Sequence, residues 1–370
     1  MVGNVRILSI FLFLLIGVCS RSLPMGTASI EQLQNEFLEK KLDFLNQYKK
    51  MVAGYSPSKE FAELPKKEME FSNPEAFGDQ VTEFNRKSLL QKLEKKGVTQ
   101  DQLNEQALKE NEIIQNNKDA LLGSQPASLV IEKMVLDQVK KNGITRNLKV
   151  FKTDSKECLT QTDGSYIWVN EKRFKKYTHE SQKLLIDHEC EHIKNNDISV
   201  TNAVAACLET KNGGTLSPHS RKIYALFHRD DEARADCKPA FKSLLNAQAY
   251  AQAAQRWVEK EGHGQAQEHP KNIHRFEASD MIIDLHMIWH KLKEEEEKEK
   301  MNNQLSVLTT DETLDEESLR WEAPQQKANK KKRSYCNERL KNENSPKLIS
   351  NKKKTICITS GQPFAPIKIK

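Results

Sequence analysis

Two histidines four residues apart, with a glutamate directly after the first, form the most reactive pattern in this chain: His188-Glu189-Cys190-Glu191-His192. On an α-helix, residues four apart lie one turn apart on the same face. The spacing therefore directs two imidazoles at one point, about as a tetrahedral Zn²⁺ needs. Glu189 sits beside that point. It can take a proton from a water activated there without being a ligand itself. The preceding run, Glu180 to Ile186, has no Gly or Pro and supports a helix. On its own, the five-residue pattern also fits a surface helix that carries two histidines.

A hydrolytic zinc site needs a third protein ligand and one open position. A metzincin extension would put Gly at 195 and His at 198, but the chain has Asn195 and Ile198. The other pattern places a Glu on a second helix with an acidic residue one turn later. Asp231-Glu232-Ala233-Arg234-Ala235-Asp236 supplies it. Glu232 can ligate. Asp236 can reach the outer nitrogen of a ligand histidine and fix its tautomer. Small Ala233 and Ala235 would let this helix approach the first one closely. Two alternatives stay open. Glu232 and Asp236 could form an exposed acidic face paired with Arg229 and Arg234. His228, one turn before Glu232, could ligate in its place. Cys190 lies between the two histidines, where its helical position points it away, so a buried thiol is expected rather than a thiolate ligand.

With these residues in place, the stretch from about Ser128 to Leu292 resembles the gluzincin peptidases of the HtpX and CAAX-prenyl-protease type, with their soluble periplasmic relatives. Four segments carry the resemblance. They are Thr162-Asp163-Gly164-Ser165-Tyr166-Ile167-Trp168-Val169, the His188–His192 motif, Glu232-Ala233-Arg234-Ala235-Asp236, which looks like E-x-x-A-D, and His269-Pro270 with Arg275 beyond it. The resemblance implies that Tyr166, Ile167, Trp168 and Val169 form an edge strand that binds an extended substrate by strand addition. It also implies that His269 stabilises the oxyanion and that Arg275 supports the site electrostatically. The chain departs from the family in two ways. No transmembrane helices flank the catalytic segment. Glu157-Cys158-Leu159-Thr160-Gln161 also lacks the Asn-Ala-Phe-like run before the strand.

The elements that would position these residues follow in order. From Ser29 to about Leu122, apolar residues recur at helical spacing among Lys, Glu, Gln and Asn, as in Leu33, Phe37, Leu42, Phe44 and Leu45. This predicts a helical, mainly peripheral N-terminal region. Gly123-Ser124-Gln125-Pro126 signals a boundary. A helix over 128–141 should turn Val130, Ile131, Met134, Val135 and Val139 inward, with Asn142-Gly143 closing it. Two strands follow, over Leu148–Phe151 and Ser165–Val169, with a turn at Thr162-Asp163-Gly164. Beyond the motif helix, Asn195-Asn196-Asp197 ends or bends it, and Ile198 to Leu208 is helical. A long helix from Ser217 to Leu245 carries Pro239 as a kink or break. Ala247 to Lys260 is helical, and a last helix buries Phe276, Met281, Ile282, Leu285, Ile288 and Trp289.

The chain has 370 residues, of which 37% are hydrophobic and 30% charged. That is lean for a single core, so part of the chain is expected to be peripheral or disordered. Its net charge of +6 is mild and does not by itself imply nucleic acid. Arg6 followed by an apolar run from Ile7 to Cys19 fits a signal-peptide core with a cut after Ser20; an uncleaved anchor is the alternative. Cys158, Cys190, Cys207, Cys237, Cys336 and Cys357 follow the cut. Disulfides and buried free thiols fit equally well. Beyond Met301 the chain is polar, with basic runs at Lys330–Arg333 and Lys352–Lys354, and reads as a disordered tail.

The expectation is thus an α+β, mainly α protein with a zincin-like core. Residues 1–20 would be a signal peptide, 21–125 a charge-rich helical region, 126–300 the zinc metallopeptidase domain and 301–370 a basic tail. His188, His192 and Glu232 would hold one Zn²⁺, with Glu189 as general base and His269 assisting. Asp236 and Arg275 would stand behind the ligands. The chain would be exported, periplasmic or secreted, and would act on a protein or peptide. Nucleic acid is permitted by the basic tail but not expected. The rival expectation is an exported interaction or scaffold protein on a gluzincin fold with little catalysis.

Overall fold

A computed structural model describes residues 28–53, 72–116, 124–155, 159–211, 213–262 and 269–310. The expected signal peptide, Cys158, Cys336, Cys357 and both basic runs lie outside the described residues. The chain divides into two compact units, Met1–Lys300 and Met301–Lys370. The first holds every candidate site residue. It is mainly helical with one small sheet, as expected for an α+β, mainly α chain. No helix among the described residues is long and apolar enough to cross a membrane.

Three helices open the chain: α1 (Ile30–Ala53), α2 (Pro74–Glu94) and α3 (Gln100–Asn116). The stripe Leu33, Phe37, Phe44, Tyr48 and Met51 faces inward on α1. Asn73 caps α2, its side chain accepting the Ala76 N–H, and Pro74 follows at the first helical position. A helix α4 (Leu129–Lys141) lies after a short strand β1 (Gln125–Pro126). It buries Ile131, Val135 and Val139. Val130, expected on the inner side, is 78% exposed, because the buried stripe is only one residue wide at four-residue spacing.

Strands β2 (Lys149–Lys152), β3 (Thr160–Thr162) and β4 (Tyr166–Val169) complete a four-stranded sheet of order β1-β2-β4-β3. β4 pairs parallel with β2 and antiparallel with β3. The Asp163 side chain accepts the N–H groups of Ser165 and Tyr166, and Gly164 takes φ +92°, which makes the expected turn. Val150, Ile167 and Val169 face the core; Phe151, Tyr166 and Trp168 pack ring against ring on the other face.

This corrects the expected substrate strand. Tyr166, Ile167, Trp168 and Val169 lie in the interior of the sheet, with ladder partners on both sides. Strand addition needs an unpaired edge. Ile167 and Val169 are also fully buried. The outer strand beside β4 is β3.

The remaining helices are α5 (Glu171–Phe174), α6 (His179–Asn195), α7 (Asp197–Lys211), α8 (Pro218–Phe241), α9 (Leu244–Glu261) and α10 (Asn272–Thr310). Thr178, Ser217 and Ser243 cap α6, α8 and α9 through their side-chain oxygens. Pro239 sits in the last turn of α8, which ends two residues later, so it marks a stop rather than a kink. α10 runs past Met301, where the polar tail was expected. No Gly or Pro interrupts it, and Lys293–Glu296 and Lys298–Glu295 pairs support its exposed turns.

The N-terminal helices are not peripheral. Phe44, Phe77 and Phe241 meet edge to face, with centroids 4.9 to 6.0 Å apart, and tie α1 and α2 to α8. Gly78 permits this approach, since a Cβ there would lie 2.5 Å from the Phe241 ring. Residues on both sides of the expected boundary near Gln125 therefore share one core.

Candidate metal centre

α6 and α8 pack side by side, with Ala233 and Ala235 fully buried on α8. The small side chains let the two helices approach, and the ligand atoms meet between them. His188 Nε2 lies 3.0 Å from His192 Nε2. Glu232 Oε2 is 3.5 Å from His188 Nε2, and Glu232 Oε1 is 3.5 Å from His192 Nε2. These are the residues of the described chain whose ligand atoms converge closely enough to hold a metal ion.

The outer nitrogens are engaged as well. His188 Nδ1 meets Asp236 Oδ1 at 2.9 Å, as the sequence suggested. His192 Nδ1 meets Asp197 Oδ2 at 2.8 Å, a partner the sequence reading missed. A neutral imidazole that donates its Nδ1 proton to a carboxylate keeps a lone pair on Nε2. Two such Nε2 lone pairs and a carboxylate then point at one place, and a proton on a ring nitrogen or a cation at the centre relieves their repulsion.

The dimensions suit a small tetrahedral ion. Ligand bonds of about 2.0–2.1 Å set neighbouring ligand atoms about 3.3 Å apart. The separations of 3.0, 3.5 and 3.5 Å bracket that value. The residues present therefore fit a divalent metal.

The electrostatics agree. Burial opposes a charged His188, but hydrogen bonding to Asp236 and Glu232 outweighs it and holds the imidazole well above its usual range. Burial opposes ionised Glu232, yet His269, His188 and His192 pull its carboxyl well below the usual range. Both shifts express one demand for positive charge at the convergence point.

An arginine stands behind each orienting carboxylate. Arg275 Nε lies 2.7 Å from Asp236 Oδ2, and Arg275 Nη2 lies 3.2 Å from Glu232 Oε2. Arg234 pairs with Asp197 and, at 3.0 Å, with Asp231. Glu232 and Asp236 are thus buried rather than on an exposed face. Arg229 turns away and donates to the Val52 carbonyl.

His269 lies at the mouth, its side chain 47% exposed, with Nδ1 3.0 Å from Glu232 Oε2. His228 does not join the converging ligands. It lies edge-on to His269, centroids 5.6 Å apart, and lines a pocket of about 60 Å³ beside His192 and Glu232 with Ile198, Thr201, Asn202 and Tyr224. Glu189 is buried, and its carboxylate makes no hydrogen bond or ion pair with any described residue. Cys190 is fully buried as a free thiol, and burial pushes its pKa up to about 12. Cys237 is a fully buried free thiol too, and Cys207 is half-buried, with its Sγ donating to the Gln102 carbonyl. Tyr166, Ile167, Trp168 and Val169 reach the site only through the sheet that backs α6.

In the sequence Asp197 is hidden by Asn195-Asn196, which reads only as a helix stop; Asn is, however, a residue that tolerates the left-handed conformation such a stop can take. Asn196 takes the left-handed conformation, φ 52°, which ends α6 and starts α7 at once. That abrupt turn brings the first residue of α7 back onto the last turn of α6. No protein-family model matches the sequence, and no curated protein and no solved structure is significantly similar to it.

Proposed function

We propose that this chain is a zinc-dependent metalloendopeptidase with a zincin-like arrangement of α6, α8 and the sheet. The observation that carries the proposal is the convergence of His188 Nε2, His192 Nε2 and a Glu232 oxygen, each histidine fixed from behind by a carboxylate. His188, His192 and Glu232 would hold the ion. Zn²⁺ in such a site polarises a carbonyl and lowers the pKa of water to about 7.

The chain's own residues supply the rest. Glu189, buried and uncommitted, takes the proton of the attacking water as its oxygen bonds to the scissile carbonyl carbon. It then gives the proton to the amine as the C–N bond breaks. His269 is anchored to Glu232 through Nδ1 and serves the developing oxyanion through Nε2–H in its imidazolium form, in which both ring nitrogens donate. Arg275 holds Glu232 and Asp236 in register. An extended peptide would add to β3, the outer strand against which α6 packs. The apolar run at residues 7–19 fits export to a periplasm or beyond, with a protein or peptide substrate met there.

The test is metal content of the purified chain beside His188→Ala and Glu232→Ala, followed by peptide hydrolysis with Glu189→Gln. The expected result is about one zinc per chain, lost or much weakened in both ligand variants. Glu189→Gln should keep the metal and lose at least about 100-fold in hydrolysis. Full hydrolysis in Glu189→Gln would overturn the mechanism. A folded chain that takes up no metal would leave the scaffold alternative.

A further inference from the structure

A chain of buried charges runs from the N-terminal helices to a ligand histidine. On α2, Arg86 engages two consecutive carboxylates of α8, with Nε 3.3 Å from Asp230 Oδ2 and Nη2 on Asp231 Oδ1. Asp230 also accepts from Tyr48 of α1 at 3.2 Å and from Asn85 at 2.6 Å. Asp231 accepts from Thr201 of α7 at 2.6 Å and from Arg234 at 3.0 Å. Arg234 pairs in turn with Asp197, and Asp197 holds His192 Nδ1. Asp197, Asp230, Asp231 and Arg234 are all at least nine-tenths buried.

The count of charges shows why Arg86 matters. Three carboxylates, Asp197, Asp230 and Asp231, share two guanidinium groups, Arg86 and Arg234. Arg234 already reaches both Asp197 and Asp231 through Nη2, and Arg86, which shares Asp231 Oδ1, keeps that carboxylate from holding Arg234 alone. Without the Arg86 fork, Arg234 is drawn to Asp231, its neighbour one turn away on the same helix. Asp197 then loses the donor that fixes its plane, and His192 loses its orientation.

We infer that Arg86 is a positioning residue for the ligand His192, acting through Asp231, Arg234 and Asp197, so that the N-terminal helices form part of the metal centre. This rests on the metal reading of the site. It gives α1 and α2 a role that their sequence distance from the motif conceals.

Position and charge make opposite predictions here, which permits a clean test. Removing a distant positive charge should tighten cation binding by Coulomb attraction alone. Loss of positioning should weaken it. The experiment measures Zn²⁺ affinity of the full chain by competition with a chromophoric chelator. It also records the visible spectrum of the Co²⁺-loaded chain, which reports ligand geometry. The variants are Arg86→Met, Arg86→Lys and Thr201→Val, with Val81→Ala as a destabilised control in the buried face of α2.

Arg86→Met and Arg86→Lys should both weaken Zn²⁺ about 3- to 30-fold. Lysine keeps the charge but cannot span two carboxylates. Thr201→Val should shift affinity the same way by less, and it carries the test with Arg86→Lys if Arg86→Met does not fold. The Co²⁺ spectrum should change in Arg86→Lys and not in Val81→Ala. Tighter binding in Arg86→Met with Arg86→Lys unchanged would reduce Arg86 to a charge and overturn the inference. Equal weakening in Val81→Ala, or no change in any variant, would overturn it too. A wild-type chain that binds no metal would overturn the metal reading and this inference with it.

Discussion

His192 and Asp197 face each other across the turn between α6 and α7, Nδ1 to Oδ2 at 2.8 Å. The pair repeats, on the second histidine, what His188 and Asp236 do at 2.9 Å. Asp236 comes from another helix, whereas Asp197 comes from five residues along the chain. Both carboxylates fix a ring, a tautomer and the direction of an Nε2 lone pair.

Asp197→Asn keeps the size of the side chain and removes its charge. Ligand orientation should suffer, and zinc affinity should fall about 10- to 100-fold. Asp236→Asn should do the same from the other side. Chelator competition on folded protein, judged by near-ultraviolet circular dichroism, measures both. Unchanged affinity in Asp197→Asn would mean that the carboxylate serves only Arg234.

The parts of the site legible in the sequence are those set by spacing within one helix. His188 and His192, or Glu232 and Asp236, share a face whatever the rest of the chain does. Asp197 was hidden because Asn195-Asn196-Asp197 reads as a helix stop, and only the left-handed turn at Asn196 brings it back. The place of β4 was misread because β3 is just Thr160–Thr162, too short to announce a strand that covers an edge. The weight of α1 and α2 was misread because their many exposed charges dilute a buried apolar stripe. Arg86 gives no local signal at all, since its partners lie more than a hundred residues away.

A chain begun at Ser124, which would keep all the ligands, should not fold. α1 and α2 place Phe44, Tyr48, Met51, Val52, Phe77, Val81 and Leu89 in the core with no exposure. At about 1.5–3 kcal/mol for each buried side chain, their loss matches or exceeds the whole stability of a typical domain, about 5–15 kcal/mol. It would also strand Asp230 and Asp231 without Arg86. Heteronuclear spectra of the shortened chain should show collapsed, unfolded dispersion. Native-like dispersion with zinc bound would show that the catalytic helices form a core of their own.

Cys190 should be chemically silent in the folded protein although it sits inside the metal motif. Thiolate is the reactive form, and burial holds this thiol near a pKa of about 12. Cys237 is held well above its ordinary value for the same reason. Cys207 is only half-buried and should be labelled. Alkylation near pH 8 followed by peptide mass mapping distinguishes them, with unfolded protein as the reference. Rapid labelling of Cys190 in the folded chain would reopen it as a metal ligand.

Lys41 should give the protein a rise in stability on the alkaline side. Its ammonium donates to the carbonyl and hydroxyl oxygens of Ser72 and lies over the rings of Phe37 and Phe77. Burial lowers its pKa from 10.5 to about 8. Below pH about 8 the amine is charged in both folded and unfolded chains, and the cost of burying that charge is present in full. Between about 8 and 10.5 the unfolded chain binds more protons, so stability rises with pH. The gain is at most about 3 kcal/mol, less whatever water near the ammonium screens. Tyr48, whose buried phenol is held well above 10, works the other way at higher pH. Comparison with Lys41→Met cancels that contribution, because both chains keep Tyr48. Urea unfolding at pH 7.5 and pH 9.5 should therefore show a larger gain in wild type than in Lys41→Met. Parallel pH profiles in the two chains would place the Lys41 charge in water rather than among the rings.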